Sequence, residues 1–190
     1  MNNKSIVLLL AGGTGTRLGA DIPKQYIKVN DRMIIDHCME SVLKCGMIAG
    51  VWIVADEMWH GEIKASCKDE GRLLGFSAPG TSRAGSIENG IRDIWDYLAK
   101  EGKAESADLS ERIVIIHDAA RPLASVDLLS RLISACDEYD GAMPVLPMKD
   151  TIYFSENGSS ISSLLDRGKL FAGQAPEAYR YGKYKSACAV

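Results

Sequence analysis

Residues 5–25 read SIVLLLAGGTGTRLGADIPKQ, and this stretch decides the fold. Ser5–Leu10 is a short unbroken apolar run, as expected of a parallel strand covered on both faces. Residues 11–25 hold four glycines and a proline and are read as a loop. A buried strand that opens directly into a glycine loop is how many α/β folds begin a phosphate site.

Working outward, strand-like and helix-like segments alternate. Met33–Leu43 places Met33, Ile34, Cys38, Met39, Val42 and Leu43 at helical spacing. Val51–Ala55 predicts a second strand, and Met58–Glu70 a polar helix. Arg72–Phe76 predicts a third strand, ending at a turn over Ala78–Ser82. Arg83–Lys100 predicts a helix with Ile87, Ile91, Ile94, Trp95 and Leu98 on one face. Glu101–Ser110 reads as a polar loop, and Ile113–Ile116 as a fourth strand. Val126–Cys136 predicts a helix and Gly141–Leu146 a strand. Thr151–Phe154 and Ile161–Leu165, joined through Asn157-Gly158, predict a hairpin. Pro176–Val190 reads as a weak helix. This order predicts an α/β fold with a mainly parallel sheet. Ligands of such folds sit at the carboxyl ends of the strands, where residues 11–25, 78–86 and 117–121 fall.

Composition narrows the function classes. The 190 residues suit one domain. They carry 22 basic and 25 acidic side chains for a net charge of −3, which argues against a bulk electrostatic grip on nucleic acid and leaves room for a local basic pocket. No apolar run approaches the ~20 residues that span a membrane, and the N-terminus lacks a signal-peptide plan, so a cytoplasmic location is expected. Cys38, Cys45, Cys67, Cys136 and Cys188 are odd in number, scattered, and contain no CxxC. Reduced, mostly buried thiols are expected rather than a disulfide framework or zinc site.

The polar clusters carry the chemistry. Gly12, Gly13 and Gly15 let backbone N–H groups approach phosphate oxygens, although a tight turn has the same composition. The pattern G-x-G-x-x-G is absent because Gly19 comes one place late, and no G-K-[ST] follows. These gaps, and the cations where a dinucleotide site wants an acidic ribose clamp, weigh against a nicotinamide or flavin site. Arg17 and Lys24 frame the loop seven residues apart, as fixed cations would for a polyphosphate under attack. Gly80 to Ser86 could set backbone groups and the Ser86 hydroxyl against a base edge, or simply start a helix capped by Thr81 or Ser82. Asp118 could hold a magnesium ion, or pair with Arg121 to fix its loop. His117 reads as structural.

Taken together, LAGGTGTRLGADIPKQ, GTSRAGSIENG (80–90), HDAARP (117–122), DT (150–151) and DRGKLFAGQAPEAY (166–179) resemble, in order, the motifs of the 2-C-methyl-D-erythritol 4-phosphate cytidylyltransferase family. The resemblance covers nearly the whole chain. It implies a single Rossmann-like nucleotidyltransferase domain over residues 1–190 with a protruding β-hairpin arm near 151–165. It implies transfer of a cytidylyl group from CTP to a sugar or polyol phosphate, releasing pyrophosphate, in isoprenoid precursor synthesis. It places Leu10, Ala11, Gly12, Gly13, Thr14, Gly15, Gly80, Thr81, Ser82, Arg83, Ser86, Asp118, Ala119 and Arg121 at the nucleotide, with cytosine read by the 80–86 segment and Mg2+ near Asp118. Arg17 and Lys24 are implied to stabilise the transition state. Thr151 and Arg167 are implied to hold the acceptor phosphate across a homodimer joined by the arm.

Some residues depart from the family pattern. Gln174-Ala175-Pro176-Glu177 stands where Gln-Thr-Pro-Gln is usual. LAGGTGTR and LFAGQ lean toward the related ribitol 5-phosphate enzymes, whereas HDAARP leans back to the methylerythritol branch. The family's final strand and helix, with a further lysine and an acidic residue, have no counterpart within the 190 residues. The readings kept open are therefore a methylerythritol phosphate enzyme, a ribitol or other polyol phosphate enzyme, and a CTP-binding module without turnover.

Overall fold

The computed structural model describes residues 5–13, 22–67, 70–100 and 110–188. Its central sheet has six strands: β1 (Ser5–Leu10), β2 (Ile48–Val54), β3 (Leu73–Ser77), β4 (Ile113–Asp118), β5 (Gly141–Ala142) and β6 (Glu177–Arg180). Their spatial order is β3-β2-β1-β4-β6-β5. The first four strands in that order run parallel, β6 runs antiparallel to β4, and β5 antiparallel to β6.

Strand β1 shows why the sheet needs helices on both faces. Val7 and Leu9 pack with Ile35, Cys38, Val42, Ile63 and Leu129 on one side. Ile6 and Leu8 pack with Ile87, Ile91, Ile94 and Tyr181 on the other. The helices supplying the first set are α1 (Ile34–Leu43), α2 (Glu57–Ser66) and α4 (Val126–Ala135). The second set comes from α3 (Arg83–Lys100) and α5 (Tyr181–Cys188). Leu9 is fully buried, which contributes about 2 kcal/mol for a side chain of its size.

The chain order reverses between β1 and β4, because β1 continues through α1 to β2 on one side while β4 lies on the other. Such a switch point opens a crevice beyond the strand ends. Register fixes its floor: Leu10 sits opposite Val54 on one flank and Asp118 on the other. The chains also leave at one level, since Ala11 N–H donates to the Val54 carbonyl (2.8 Å) and Ala119 N–H to the Leu10 carbonyl (2.9 Å).

Several expectations need correction. Pro176–Val190 is not one weak helix. Glu177–Arg180 is a strand pairing with both β4 and β5, and helix follows only from Tyr181. Four residues are too few to show a period, and their neighbours are distant in sequence. Gly141–Leu146 is not one strand either. Gly141–Ala142 joins the main sheet, while Val145–Pro147 pairs with Phe171–Gly173 outside it. Pro144 stands between them, and proline has no N–H for a ladder. The 11–25 loop contains a one-turn 3-10 helix at Lys24–Tyr26. Helix α2 stops at Ser66 rather than Glu70, and Met33 belongs to a small hairpin, Lys28–Val29 against Arg32–Met33. Its Asn30 and Asp31 have φ of 51° and 60°, as a two-residue hairpin loop requires. Strand β4 runs two residues beyond Ile116, which puts His117 and Asp118 on the sheet. Most of the expected 101–110 loop lies outside the described residues.

Candidate functional site

A cleft of about 750 Å3 opens at the switch point between β1 and β4. Its volume falls in the range of small-molecule sites. Three segments far apart in sequence line it. Leu10, Gly12, Gly13, Lys24 and Gln25 come from the first, and Gly80, Thr81, Ser82, Arg83 and Ser86 from the second. Asp118, Ala120 and Arg121 come from the third. Ala11 and Ala119 are buried and do not line it. Thr14, Gly15 and Arg17 lie outside the described residues. Thr151 and Arg167 do not line the cleft. Both are exposed, and Arg167 Nη1 donates to the Lys149 carbonyl (3.2 Å).

The first two segments touch. A Cβ on Gly12 would stand 2.6 Å from Pro79 Cβ and Cγ, so only glycine lets β1 turn this close to the 78–82 turn. Gly80 is equally constrained, since a Cβ there would meet Ser86 N at 2.7 Å. The two readings of the 80–86 segment coexist. Ser82 Oγ accepts from Gly85 N–H (3.0 Å), the expected helix cap, and Ser86 N–H donates to the Ser82 carbonyl (2.9 Å). Ser86 Oγ accepts from Gly80 N–H (3.0 Å), which leaves its own proton for another acceptor.

Asp118 is the centre of the third segment. Arg121 Nε donates to its Oδ2 (3.1 Å), and Arg83 Nη2 lies 3.5 Å from its Oδ1. The same Arg83 nitrogen lies 3.7 Å from Glu177 Oε1, and Glu177 Oε2 accepts from the Tyr179 hydroxyl (2.7 Å). The expected Asp118–Arg121 pair is present, and it extends into two arginines balanced by two carboxylates. Glu177 and Gln25 were not singled out as site residues in the sequence. Both stood in motifs, one in QAPE and one in PKQ, yet only the folded chain shows what they contact.

His117 is fully buried beneath this loop. Burial pushes its pKa below the usual histidine value, so the ring is neutral. A carbonyl can only accept, so Nε2–H donates to the Arg121 carbonyl (3.0 Å), while Nδ1 has no partner among the described residues. The Cys38 thiol also donates to that carbonyl (3.9 Å), and the Ser41 hydroxyl to the Pro122 carbonyl (3.3 Å). Burial, then the Asp118 charge, pushes the Cys38 pKa up to about 12, so it remains a thiol at neutral pH. Cys38 and Ser41 fasten the Asp118–Pro122 turn to α1, and His117 fastens it to β4.

The comparison with known families bears on the whole chain that builds this cleft. The model of "IspD: 2-C-methyl-D-erythritol 4-phosphate cytidylyltransferase" matches residues 5–189. The chain belongs to this family. Its members are CTP-using cytidylyltransferases acting on sugar or polyol phosphates. One relative, the 2-C-methyl-D-erythritol 4-phosphate cytidylyltransferase of Rubrobacter xylanophilus, is 33% identical over 179 residues, covering 94% of this chain and 71% of its own. The ribitol-5-phosphate cytidylyltransferase of Lacticaseibacillus paracasei is 30% identical over 176 residues, covering 92% and 71%. A crystal structure of 4-diphosphocytidyl-2C-methyl-D-erythritol synthase superposes with a TM-score of 0.76 at 23% identity, covering 98% of this chain and 80% of that one, which supports the fold. Among the described residues, no helix is long and apolar enough to cross a membrane.

Proposed function

We propose that the cleft binds CTP and that this chain transfers its cytidylyl group to 2-C-methyl-D-erythritol 4-phosphate, releasing pyrophosphate, in isoprenoid precursor synthesis. The observation that carries this reading is the convergence of the glycine segment, Lys24, the capped 80–86 turn and Asp118 with its arginines in one cleft. An acceptor phosphate oxygen attacks the α-phosphorus. The new P–O bond forms as the bond to the β-phosphate oxygen breaks, and that oxygen takes the charge. The nucleophile is already an anion, so no general base is needed. The residues position reactants and stabilise charge. Gly12 and Gly13 bring main chain against the triphosphate, and Lys24, with Arg17, meets the developing charge. The 80–86 turn reads cytosine, with the Ser86 hydroxyl as one donor.

Asp118 fits the role of a magnesium ligand. It is the one carboxylate lining the cleft among the described residues, and magnesium is commonly held by one or two carboxylates plus substrate phosphates. The ion would neutralise phosphate charge. Holding the ion would loosen the contacts of Asp118 to Arg83 and Arg121, leaving the Arg121 guanidinium for phosphate oxygens and Arg83 paired with Glu177.

The acceptor groups lie outside the cleft, Thr151 at the start of the 151–165 arm and Arg167 just after its end. That arm pairs only Tyr153–Phe154 with Ser163–Leu164 and exposes Tyr153, Phe154, Ile161 and Leu164. An isolated two-stranded hairpin is marginal in water and wants a partner. A second copy supplies one in a homodimer, carrying Thr151 and Arg167 of each chain toward the other's cleft.

A second reading, with ribitol 5-phosphate as acceptor, is favoured by LAGGTGTR and by the Lacticaseibacillus relative. Pyrophosphate release, measured with CTP, UTP, ATP and GTP and with each acceptor, tests both. Turnover is expected with CTP and methylerythritol phosphate. Turnover with ribitol phosphate alone selects the second reading, and efficient use of ATP or GTP overturns both. CTP binding without turnover on any acceptor makes the chain a binding module.

A further inference from the structure

The 3-10 turn at Lys24–Tyr26 connects a cation of the cleft to the glycine segment. Lys24 lines the cleft, while Gln25 and Tyr26 are 5% and 4% exposed. Gln25 Nε2 donates to the Ala11 carbonyl at 2.5 Å and to the Gly13 carbonyl at 2.8 Å. The Tyr26 hydroxyl donates to the same Ala11 carbonyl at 3.0 Å. Ala11 therefore has both carbonyl lone pairs engaged while its N–H is held by Val54. Behind this, the Tyr26 ring stacks on Trp59 of α2, with centroids 3.9 Å apart and planes 12° from parallel.

A peptide group is planar and trans, so fixing the Ala11 carbonyl also fixes the direction of the Gly12 N–H. The same two side chains fix the turn that carries Lys24. A three-residue turn has little rigidity of its own, and a charge-stabilising cation is useful only where its place is set in advance. The residue types fit this task. An amide nitrogen can donate to two carbonyls at once, whereas a carboxylate of the same shape would oppose them with oxygens.

We propose that Gln25 and Tyr26 are positioning residues. They fasten Ala11–Gly13 to Lys24 across the intervening residues, so that the Gly12 amide and the Lys24 ammonium meet the triphosphate as one rigid unit, with Trp59 as the backing that holds Tyr26 in place. This rests on the reading of Lys24 as a catalytic residue.

The test is steady-state kinetics with thermal melting on Gln25→Ala, Gln25→Glu and Tyr26→Phe, singly, and on Gln25→Ala combined with Lys24→Ala. The expected result is a fall in kcat of about tenfold or more for both Gln25 variants and a few-fold for Tyr26→Phe, with the acceptor KM unchanged. In the Lys24→Ala background the Gln25→Ala change should cost at least about threefold less than in the wild type, because one of the two groups it positions is gone. An equal cost in both backgrounds overturns the inference. So does a lowered melting temperature with unchanged kcat per folded molecule. If the Gln25 variants do not fold, Tyr26→Phe decides, since it removes one hydroxyl and keeps the stack; an unchanged kcat overturns the inference. Wild-type turnover in Lys24→Ala removes the underlying reading of the cleft itself. Loss in Lys24→Ala with none in the Gln25 and Tyr26 variants overturns only the positioning role.

Discussion

The cleft and the arm are built on opposite principles. At the cleft the main chain is tied to side chains from elsewhere in the fold: Ala11 to buried Gln25 and Tyr26, the Arg121 carbonyl to buried His117 and Cys38, Gly80 to half-buried Ser86. At the arm the hydrogen bonds are local. Asn157 Oδ1 accepts from Ser159 and Ser160 N–H at the tip, and the apolar side chains Tyr153, Phe154, Ile161 and Leu164 face solvent. On the proposed reading the cleft works by charge stabilisation, which needs fixed groups, and the contacts that fix them come from the same chain. The arm is left unfinished, which is what a segment reserved for a second copy would look like.

Ordered by size, the sharpest contrast should come from Lys24→Ala. Removing one preorganised donor should cost about 3 kcal/mol of barrier, a loss of more than 100-fold in kcat with the fold intact by circular dichroism. Wild-type turnover at saturating CTP would break the cleft side of the comparison.

Arg167→Ala probes the arm. A charge-assisted bond to phosphate is worth about 1.5–3 kcal/mol, so the acceptor KM should rise roughly tenfold or more while the CTP KM stays put. Equal rises in both constants would place Arg167 at the nucleotide instead.

Gly12→Ala tests how tightly the cleft is closed. Its Cβ must displace Pro79, at a cost of about 1–3 kcal/mol in stability, with a raised CTP KM. A melting temperature and KM like those of wild type would mean that the 78–82 turn yields freely.

The smallest effect concerns His117. Burial depresses its pKa in the folded chain, while the unfolded chain takes up a proton near pH 6.5. Its contribution to stability is therefore complete above pH 6.5 and falls as the pH drops below that value. His117→Gln should show a shallower decline in melting temperature between pH 7 and 5 than the wild type. Parallel declines would show that His117 is not the group responsible.

Much of this was legible in the sequence, for physical reasons that differ by region. SIVLLL and Ile113–Ile116 announce buried strands because both faces are covered. Arg83–Lys100 is helical over the range its sequence predicts because its period spans five turns and Ser82 caps it. The three clusters could be brought together on fold logic, since parallel strands end at one edge. What stayed hidden depended on partners distant in the chain. Glu177–Arg180 is a strand only because β4 and β5 flank it. Arg83 reaches Asp118 and Glu177 across residues that no local pattern relates. Gln25 shows its task only when Ala11 and Gly13 stand in front of it.

The central claim is that one working site takes its cleft from one chain and its acceptor arm from another, and mixing two impaired variants, assayed at an acceptor concentration well below its KM, tests it most directly. In a Lys24→Ala and Arg167→Ala heterodimer, one site carries both lesions and the other carries neither. With random exchange of equal amounts, half the dimers are mixed, so about a quarter of wild-type activity should return. If subunit exchange is demonstrated by differential labelling and activity stays at the average of the two variants, the shared site is contradicted.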